Sequence, residues 1–166
     1  GSATWIASNC NKFDYVFTWN EDLIKTLPNA VKTLFGTSAF HDCILEYDGV
    51  NFSKPTKEKK ITFIRGNKHF NVPGHDLRWE LWNRRYEIKF PIDFYPTTTP
   101  EYATNKEEEN KWYAQRRNIF ESPMFHIAIE NTLHNNYFTE KIMDCFIFES
   151  IPIYYGCPNI GEYFNS

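Results

Sequence analysis

The 166-residue sequence has no long hydrophobic run and little net charge, and both absences exclude classes of protein. No apolar stretch approaches the roughly 20 residues that a membrane-spanning helix needs, and the N-terminus has no signal-like apolar region. The chain as given is therefore expected to be soluble, with no membrane segment. A formal charge of −3 offers no general attraction to nucleic acid, so we predict no nucleic-acid partner.

The sequence also lacks closely spaced cysteines. Cys10, Cys43, Cys145 and Cys157 are scattered and form no CxxC pair of the kind found in structural zinc sites or redox centres. Cys145 and Cys157 lie in apolar segments, which favours ordinary free thiols. A disulfide formed in an oxidising compartment is the alternative.

Several catalytic motifs are missing as well. The sequence has no GxSxG nucleophile elbow, no HExxH zinc motif and no GxxxxGK[ST] phosphate loop, which removes support for the corresponding enzyme classes. It has no DxD-type pair that would suggest a metal-dependent sugar transferase. Asp144 follows Glu140 by four residues, but without companion ligands it is interpreted as structural, and we predict no metal site.

The sequence does have the composition of a globular protein, with many aromatic residues. Apolar residues make up 42%, charged residues 23% and aromatic residues 18% of the chain. The run from Phe13 to Trp19 combines aromatic and β-branched residues, which favours a strand. The chain length of 166 residues predicts one well-buried α/β domain with some additional structure.

Strand and helix patterns alternate along the chain. The first unit, which ends at Gly36, is predicted as strand 15–19, helix 21–27 with Asn20 as its N-cap, and strand 30–35. The second unit is predicted as strand 61–64, helix 74–85, strand 88–92, helix 105–120, strand 125–129, helix 139–148 and strand 151–155. Strands that alternate with helices predict a Rossmann-like α/β fold, with a parallel sheet and helices on both faces.

We place a boundary between these units in the lysine-rich stretch before Ile61. Residues 1–2 resemble a cloning remnant, residues 3–57 are expected to contain the end of an N-terminal domain and a connecting segment, and residues 58–166 a Rossmann-like domain. The chain stops after a strand and a Gly-Cys-Pro turn that would ordinarily lead into another helix. We therefore expect the domain to be incomplete.

Polar side chains gather after the predicted strand 125–129. In open α/β sheets, ligands collect outside the carboxyl ends of the strands, where helix N-termini direct amide donors into a crevice. Asn131, Tyr137, Glu140 and Lys141 follow this strand, and Arg78 lies in the helix after the strand 61–64. Together they suit a nucleotide diphosphate-sugar.

Each of these side chains has a use in such a site. Lys141 can neutralise a phosphate together with first-turn N–H groups, and Arg78 can clamp a phosphate with two hydrogen bonds. Glu140 can accept hydrogen bonds from ribose or sugar hydroxyls. Tyr137 can pack on a base or ribose, and Asn131 can donate to a phosphate.

The same local patterns also have structural explanations. Thr139 can simply be the N-cap of a helix whose first turn favours an acidic residue. Arg78 can be a surface residue that pairs with Glu80 or Asp76. His126 lies inside an apolar strand and is interpreted as a core histidine with satisfied hydrogen bonds.

The stretch from Phe125 to Phe164 resembles a family signature: FHIAIENTLHNNYFTEKIMDCFIFESIPIYYGCPNIGEYF. It is similar to the donor-binding signature of glycosyltransferase family 10, the α-1,3/4-fucosyltransferases and their relatives. Their pattern is approximately F-x-[IL]-x-[FI]-E-N-S, a short loop, [YF]-[VIF]-T-E-K-[IL] and then IP[IV]Y[WY]G. A weaker resemblance extends through residues 61–85, and residues 15–36 are similar to the segment that leads out of the family's N-terminal domain.

This resemblance implies a GT-B architecture, in which two Rossmann-like domains face a cleft and the C-terminal one holds the nucleotide sugar. It implies donor contacts for Asn131, Tyr137, Glu140 and Lys141, and a diphosphate contact for Arg78. It also implies transfer of a sugar with inversion, with GDP-fucose as the favoured donor and a glycan as the acceptor. The resemblance further implies that the reaction requires no metal or other cofactor.

The sequence departs from the family pattern at Thr132, where serine is usual, and at Tyr155, where tryptophan is frequent. The family's candidate catalytic carboxylate lies in the N-terminal acceptor domain, so no catalytic base is assigned here. Two alternatives remain: a non-catalytic module that binds a sugar nucleotide or a glycan, and the same fold with another donor, such as a xylosyl donor. A cytoplasmic location is favoured, and the Golgi lumen is the alternative if an anchor precedes the sequence.

Overall fold

The computed structural model describes residues 2–36, 56–96 and 117–165, and its strands form two parallel sheets. In the smaller sheet β1 (Val16–Thr18) pairs with β2 (Ala30–Lys32), and α2 (Glu21–Thr26) connects the two strands. The helix α1 (Ser2–Asn9) and a 3-10 turn (Cys10–Lys12) precede this pair.

The larger sheet has four strands in the order β4-β3-β5-β6, and all three pairings are parallel. Its strands are β3 (Glu58–Arg65), β4 (Ile92–Pro96), β5 (Pro123–Ile129) and β6 (Ile151–Tyr155). The other elements are α3 (Pro73–Asn83) after β3, a helical segment at residues 117–121, α4 (Glu140–Ile147) after β5, and a 3-10 turn (Ile160–Glu162) after β6.

Helices cover both faces of the larger sheet, which confirms the predicted fold class. Successive residues of a strand point to opposite faces. On one face Ala128 of β5 and Phe148 after α4 belong to a buried cluster with residues 119, 120 and 145. On the other face Phe94 makes edge contacts with Phe63 of β3 and Trp82 of α3, at centroid distances of 5.7 and 6.2 Å.

Local sequence signals place several elements correctly. The strand β6 covers the residues predicted for it. Asn20 caps α2 by accepting a hydrogen bond from the Leu23 N–H at 3.0 Å, and Thr139 is the N-cap of α4. Caps and hydrophobic runs act within a few residues, so the sequence alone reveals them.

The predicted strand 88–92 is wrong, because the strand begins only at Ile92 and continues to Pro96. After α3 the chain turns, and the Glu87 N–H donates to the Arg84 carbonyl at 2.9 Å. The predicted strand 30–35 ends at Lys32. Of the predicted helix 105–120, only residues 117–120 lie within the described part of the chain, and they are helical. The division into residues 3–57 and 58–166 stays a prediction.

Three of the four cysteines fall within the described ranges, and Cys10, Cys145 and Cys157 are all free thiols, as predicted. Burial raises the pKa of the Cys145 thiol, so it remains protonated. Cys43 lies outside the described residues. No helix in the described ranges is long and apolar enough to cross a membrane.

Candidate functional site

A cleft of about 420 Å³ lies where β3 and β5 end, with the start of α3 and α4 along its walls. Four of the five predicted site residues line it: Arg78, Asn131, Glu140 and Lys141. Asn67, Lys68, Phe70 and His75 also line it and come from the loop after β3 and the start of α3. The carboxyl ends of two neighbouring parallel strands thus form the crevice that this fold class predicts.

Arg78 is the buried cation of the cleft, with 8% of its surface exposed. Its guanidinium donates to the Ile129 carbonyl at 2.6 Å and to the Asn131 side-chain oxygen at 2.7 Å. Burial lowers the pKa of Arg78, against the opposing effect of nearby acidic groups, yet an arginine remains charged. The alternative of a surface arginine paired with Glu80 or Asp76 is therefore wrong.

Gly74 lets the start of α3 approach the end of β5 closely. Its N–H donates to the Asn131 carbonyl at 3.0 Å. A Cβ atom at this position would lie 1.6 Å from the Glu130 carbonyl oxygen, a distance that no side chain can adopt. The glycine therefore permits the close packing that sets Arg78, one turn later, against Asn131.

Thr139 and Glu130 join the end of β5 to the start of α4. Both the backbone N–H and the hydroxyl of Thr139 donate to the Glu130 carboxylate, each at 2.7 Å. The Lys141 backbone nitrogen is 3.5 Å from the Thr139 hydroxyl oxygen, which is long for a hydrogen bond. The hydrogen bond from the Thr139 hydroxyl to Glu130 is therefore the stronger of the two. Both side chains are buried. The predicted N-cap at Thr139 is thus confirmed, while the predicted donor contacts of Glu140 and Lys141 stay a prediction.

The Lys141 ammonium lies between two carboxylates. Its Nζ is 3.0 Å from Glu140 Oε1 and 3.5 Å from Glu130 Oε2, and it donates to the Thr139 hydroxyl at 2.9 Å. Burial alone would raise the pKa of the Glu140 carboxyl, but the charge and hydrogen bond of Lys141, with a bond from Thr139, outweigh it and lower that pKa. Glu140 is therefore ionised at neutral pH.

Tyr137 does not line the cleft. Its ring packs against Trp19 at a centroid distance of 4.9 Å and stacks on Phe35 at 5.7 Å. Burial raises the pKa of the Tyr137 hydroxyl, and the charges of Glu130 and Glu140 raise it further. The hydroxyl thus lies within electrostatic range of the cleft, while the ring belongs to an aromatic cluster with the N-terminal segment.

Asn136 fixes the loop that precedes α4. It is buried and adopts a left-handed backbone with φ 63°, which asparagine tolerates better than most residues. Its side chain donates to the Trp19 carbonyl at 3.3 Å and accepts from Asn159 at 3.1 Å and from the Tyr163 hydroxyl. One asparagine therefore connects this loop to both the N-terminal and the C-terminal segments.

His75 is a buried neutral residue in the wall of the cleft. It is 5% exposed, and its Nδ1 accepts a hydrogen bond from the Phe70 N–H at 3.1 Å. Burial and the neighbouring charge of Arg78 lower its pKa below the ordinary 6.5. The ring thus supports the loop after β3 in its neutral form.

His126 and Asp144, for which the sequence predicts structural roles, are both buried. His126 is 2% exposed, and its Nδ1 lies 2.8 Å from the Thr62 hydroxyl, which confirms the prediction of a satisfied core histidine. Asp144 is fully buried. Among the residues that the structure describes, no group of three His, Cys, Asp or Glu side chains could hold a metal ion. That sugar transfer needs no metal stays a prediction.

Sequence reasoning gave no role to Glu130 or to Trp19. Glu130 carried a weak signal, because it directly follows an apolar strand and a carboxylate is unusual so close to the core. Trp19 carried none, since its contact with Tyr137 joins two distant parts of the chain. Tertiary packing alone reveals such partners.

Comparisons with known proteins agree with this architecture. The sequence model described as glycosyltransferase family 10 (fucosyltransferase) C-term matches residues 54–164. The chain is 34% identical over 113 residues to an alpha-(1,3)-fucosyltransferase, FucT, of Helicobacter pylori, covering 68% of this chain and 21% of that protein. It is 34% identical over 64 residues to an alpha-(1,4)-fucosyltransferase of Arabidopsis thaliana, covering 39% of this chain and 16% of that protein.

A solved alpha1,3-fucosyltransferase has a similar fold, with a TM-score of 0.60 at 19% identity. The match covers 92% of this chain and 49% of that chain, and the matches to the two curated relatives span about a fifth of their length or less. The structural likeness confirms the expected parallel α/β fold of the GT-B type. With the family match across residues 54–164, the chain belongs to glycosyltransferase family 10, the fucosyltransferase family.

Proposed function

We propose that this chain binds a nucleotide sugar, with GDP-fucose as the favoured donor, and serves the transfer of the sugar to a glycan acceptor with inversion. The observation that carries the proposal is the convergence of Arg78, Asn131, Glu140 and Lys141 on one cleft at the carboxyl ends of β3 and β5. Arg78 lies on α3, Asn131 in the loop after β5, and Glu140 and Lys141 at the start of α4, so distant parts of the sequence meet here. The relatives of known activity are fucosyltransferases, which favours fucose.

The charges of the cleft suit a diphosphate. Among the described residues, three basic side chains, Lys68, Arg78 and Lys141, line it together with one carboxylate, that of Glu140. Arg78 presents a planar set of five N–H donors, of which two are used by Ile129 and Asn131. The remaining donors can hydrogen-bond phosphate oxygens, and the first turn of α4 adds backbone N–H groups.

The same arrangement supports the chemistry of transfer. When the bond between the sugar and the diphosphate breaks, negative charge accumulates on the departing nucleoside diphosphate, and fixed cations stabilise that charge. In this proposal Arg78 and Lys141 take this role, so that the reaction needs no metal ion. Glu140, which is ionised and 31% exposed, accepts hydrogen bonds from sugar or ribose hydroxyls.

Inversion requires a base that removes the proton from the acceptor hydroxyl. No residue of this chain is assigned to that step. Tyr137 does not line the cleft, and its ring packs on Trp19 and Phe35, so in this proposal it supports the loop before α4 and does not contact the nucleotide base.

Titration calorimetry with GDP, UDP, GDP-fucose and UDP-xylose tests the proposal. GDP and GDP-fucose should bind with similar affinity and more tightly than the uridine nucleotides. Preference for a UDP-sugar would replace fucose by another donor. A folded protein that binds none of the four would contradict the donor site altogether.

A further inference from the structure

Glu130 is a buried carboxylate that does not line the proposed donor site. It directly follows β5, none of its surface is accessible, and it is absent from the lining of the cleft. Its two oxygens accept hydrogen bonds from the N–H and the hydroxyl of Thr139. Its second oxygen is 3.5 Å from the Lys141 ammonium.

Gly156, which follows β6, leaves the space that the Glu130 side chain occupies. A Cβ atom on Gly156 would lie 2.5 Å from Glu130 Cγ. Gly74, at the start of α3, meets the backbone carbonyl oxygen of Glu130 rather than its carboxylate. The carboxylate is thus enclosed in a tight cage between Gly156 and Thr139, the N-cap of α4.

A charge in such a cage must be paired, because an isolated carboxylate is strongly destabilised away from water. The nearest cation in the described part of the chain is Lys141, whose side chain is 24% exposed and borders the cleft. The buried Glu130 carboxylate therefore attracts the Lys141 ammonium, which the proposed donor site requires.

We infer that Glu130 is a positioning residue of the donor site: its buried charge holds the Lys141 ammonium at the cleft wall, ready for a phosphate. This inference rests on the proposed function. An ammonium that is already ordered loses less side-chain freedom when the ligand binds, which favours affinity. Glu140, the other carboxylate near Lys141, is closer at 3.0 Å, but its side chain is 31% exposed, so solvent screens its attraction more than that of the buried Glu130.

The alternative is that Glu130 serves only to close the loop from β5 to α4 through Thr139. Glu130→Gln separates the two, because it keeps the size and one acceptor oxygen for Thr139 and removes the charge. Reductive methylation followed by mass spectrometry reports how firmly each lysine is held. In Glu130→Gln, Lys141 should react at least roughly threefold faster, since a charge-assisted contact is lost. Lys25, which is exposed on α2, should be unchanged.

The effect on the ligand is measured as the affinity for GDP. Glu130→Gln should weaken binding about tenfold when Lys141 is present. In the Lys141→Ala background the same change should have almost no effect. Equal effects in both backgrounds, or an unchanged methylation rate of Lys141, would overturn the inference.

Glu140→Gln decides the matter if Glu130→Gln does not fold. With Glu130 as its remaining partner, Lys141 should stay protected from methylation, and a rate as high as that of Lys25 would overturn the inference. If the unaltered protein binds no nucleoside diphosphate, the proposed function fails, while methylation still shows whether Glu130 holds Lys141.

Discussion

Arg78 and Asn131 are hydrogen-bonded across the cleft wall, with Arg78 Nη2 donating to Asn131 Oδ1 at 2.7 Å. The same guanidinium donates to the carbonyl of Ile129, the last residue of β5. Two separate elements, α3 and the end of β5, are thereby joined by one cation. In the proposed donor site this cation is in position before a ligand arrives.

Replacing Arg78 by lysine should therefore weaken GDP binding by about tenfold or more, because a lysine cannot reproduce the planar pair of bonds. The free energy of unfolding should fall as well, since the buried Ile129 carbonyl and the partly buried Asn131 oxygen lose a charged donor. Calorimetry and urea unfolding measure the two effects. Arg84→Lys is the matched control at the C-cap of the same helix, where the side chain is exposed and pairs with Glu80 and Glu87.

Lys141→Ala should weaken nucleotide binding by roughly 1.5 to 3 kcal/mol if its ammonium contacts a phosphate. The loss should shrink as salt is added, because the contact is partly exposed and therefore screened. Lys25→Ala removes an equal charge from an exposed position on α2 and should leave the affinity unchanged. An unaltered affinity in Lys141→Ala would remove this residue from the site.

Gly74→Ala should be among the most damaging small substitutions in the chain. The added Cβ would lie 1.6 Å from the Glu130 carbonyl oxygen, so α3 must move away from β5. We expect a loss of about 3 kcal/mol or more in the free energy of unfolding. Gly161→Ala, whose Cβ would meet no atom within 4 Å, should be close to neutral in the same unfolding measurement.

His75 should make stability depend on pH. Its pKa in the folded protein lies below the ordinary 6.5, chiefly because it is buried, so the unfolded chain takes up a proton more readily. The contribution of His75 is complete above about pH 6.5 and declines as the pH falls below that value. His75→Asn, whose side-chain oxygen can still accept from the Phe70 N–H, should show a flatter decline between pH 6.5 and 5.

Lys57 stabilises the amino-terminal side of the larger sheet. Its ammonium, which has three N–H donors, lies within hydrogen-bond distance of the Phe120, Glu121 and Phe148 carbonyls and of the Ser150 hydroxyl. Burial lowers the pKa of Lys57, as expected for an ammonium surrounded by protein oxygens.

Lys57→Met should accordingly lower the free energy of unfolding by about 1 to 3 kcal/mol, because several oxygens lose a charged donor. The substitution Lys59→Met, at an exposed position of β3, should change it little. Equal stability of the two variants would show that the hydrogen bonds of Lys57 contribute nothing. Nucleotide affinity should be unaffected in both, since neither lysine lines the cleft.

The sequence was informative where the determining interactions are local. The apolar run of β6, from Ile151 to Tyr155, and the cap at Thr139 depend on residues within one or two turns. The predicted strand 88–92 was wrong because its position depends on an interaction that is not local. There the chain continues as turns after α3, and pairing with β3 begins only at Ile92, so the neighbouring strand decides where β4 starts.

The proposed site was predictable as a set of residues but not as an arrangement. Loop polarity and the family resemblance identified Asn131 and Lys141. They did not indicate that Glu130 would bind Thr139 and lie beside Lys141, nor that Tyr137 would pack on Trp19. These contacts depend on how separate elements meet, which periodicity and capping signals do not encode.

A crystal structure of the protein with GDP tests the central claim most directly. The account predicts that the diphosphate lies in the cleft between Arg78 and Lys141, within hydrogen-bond distance of both and close to the first turn of α4. A nucleotide bound elsewhere, with Arg78 and Lys141 making no contact to it, would contradict the claim.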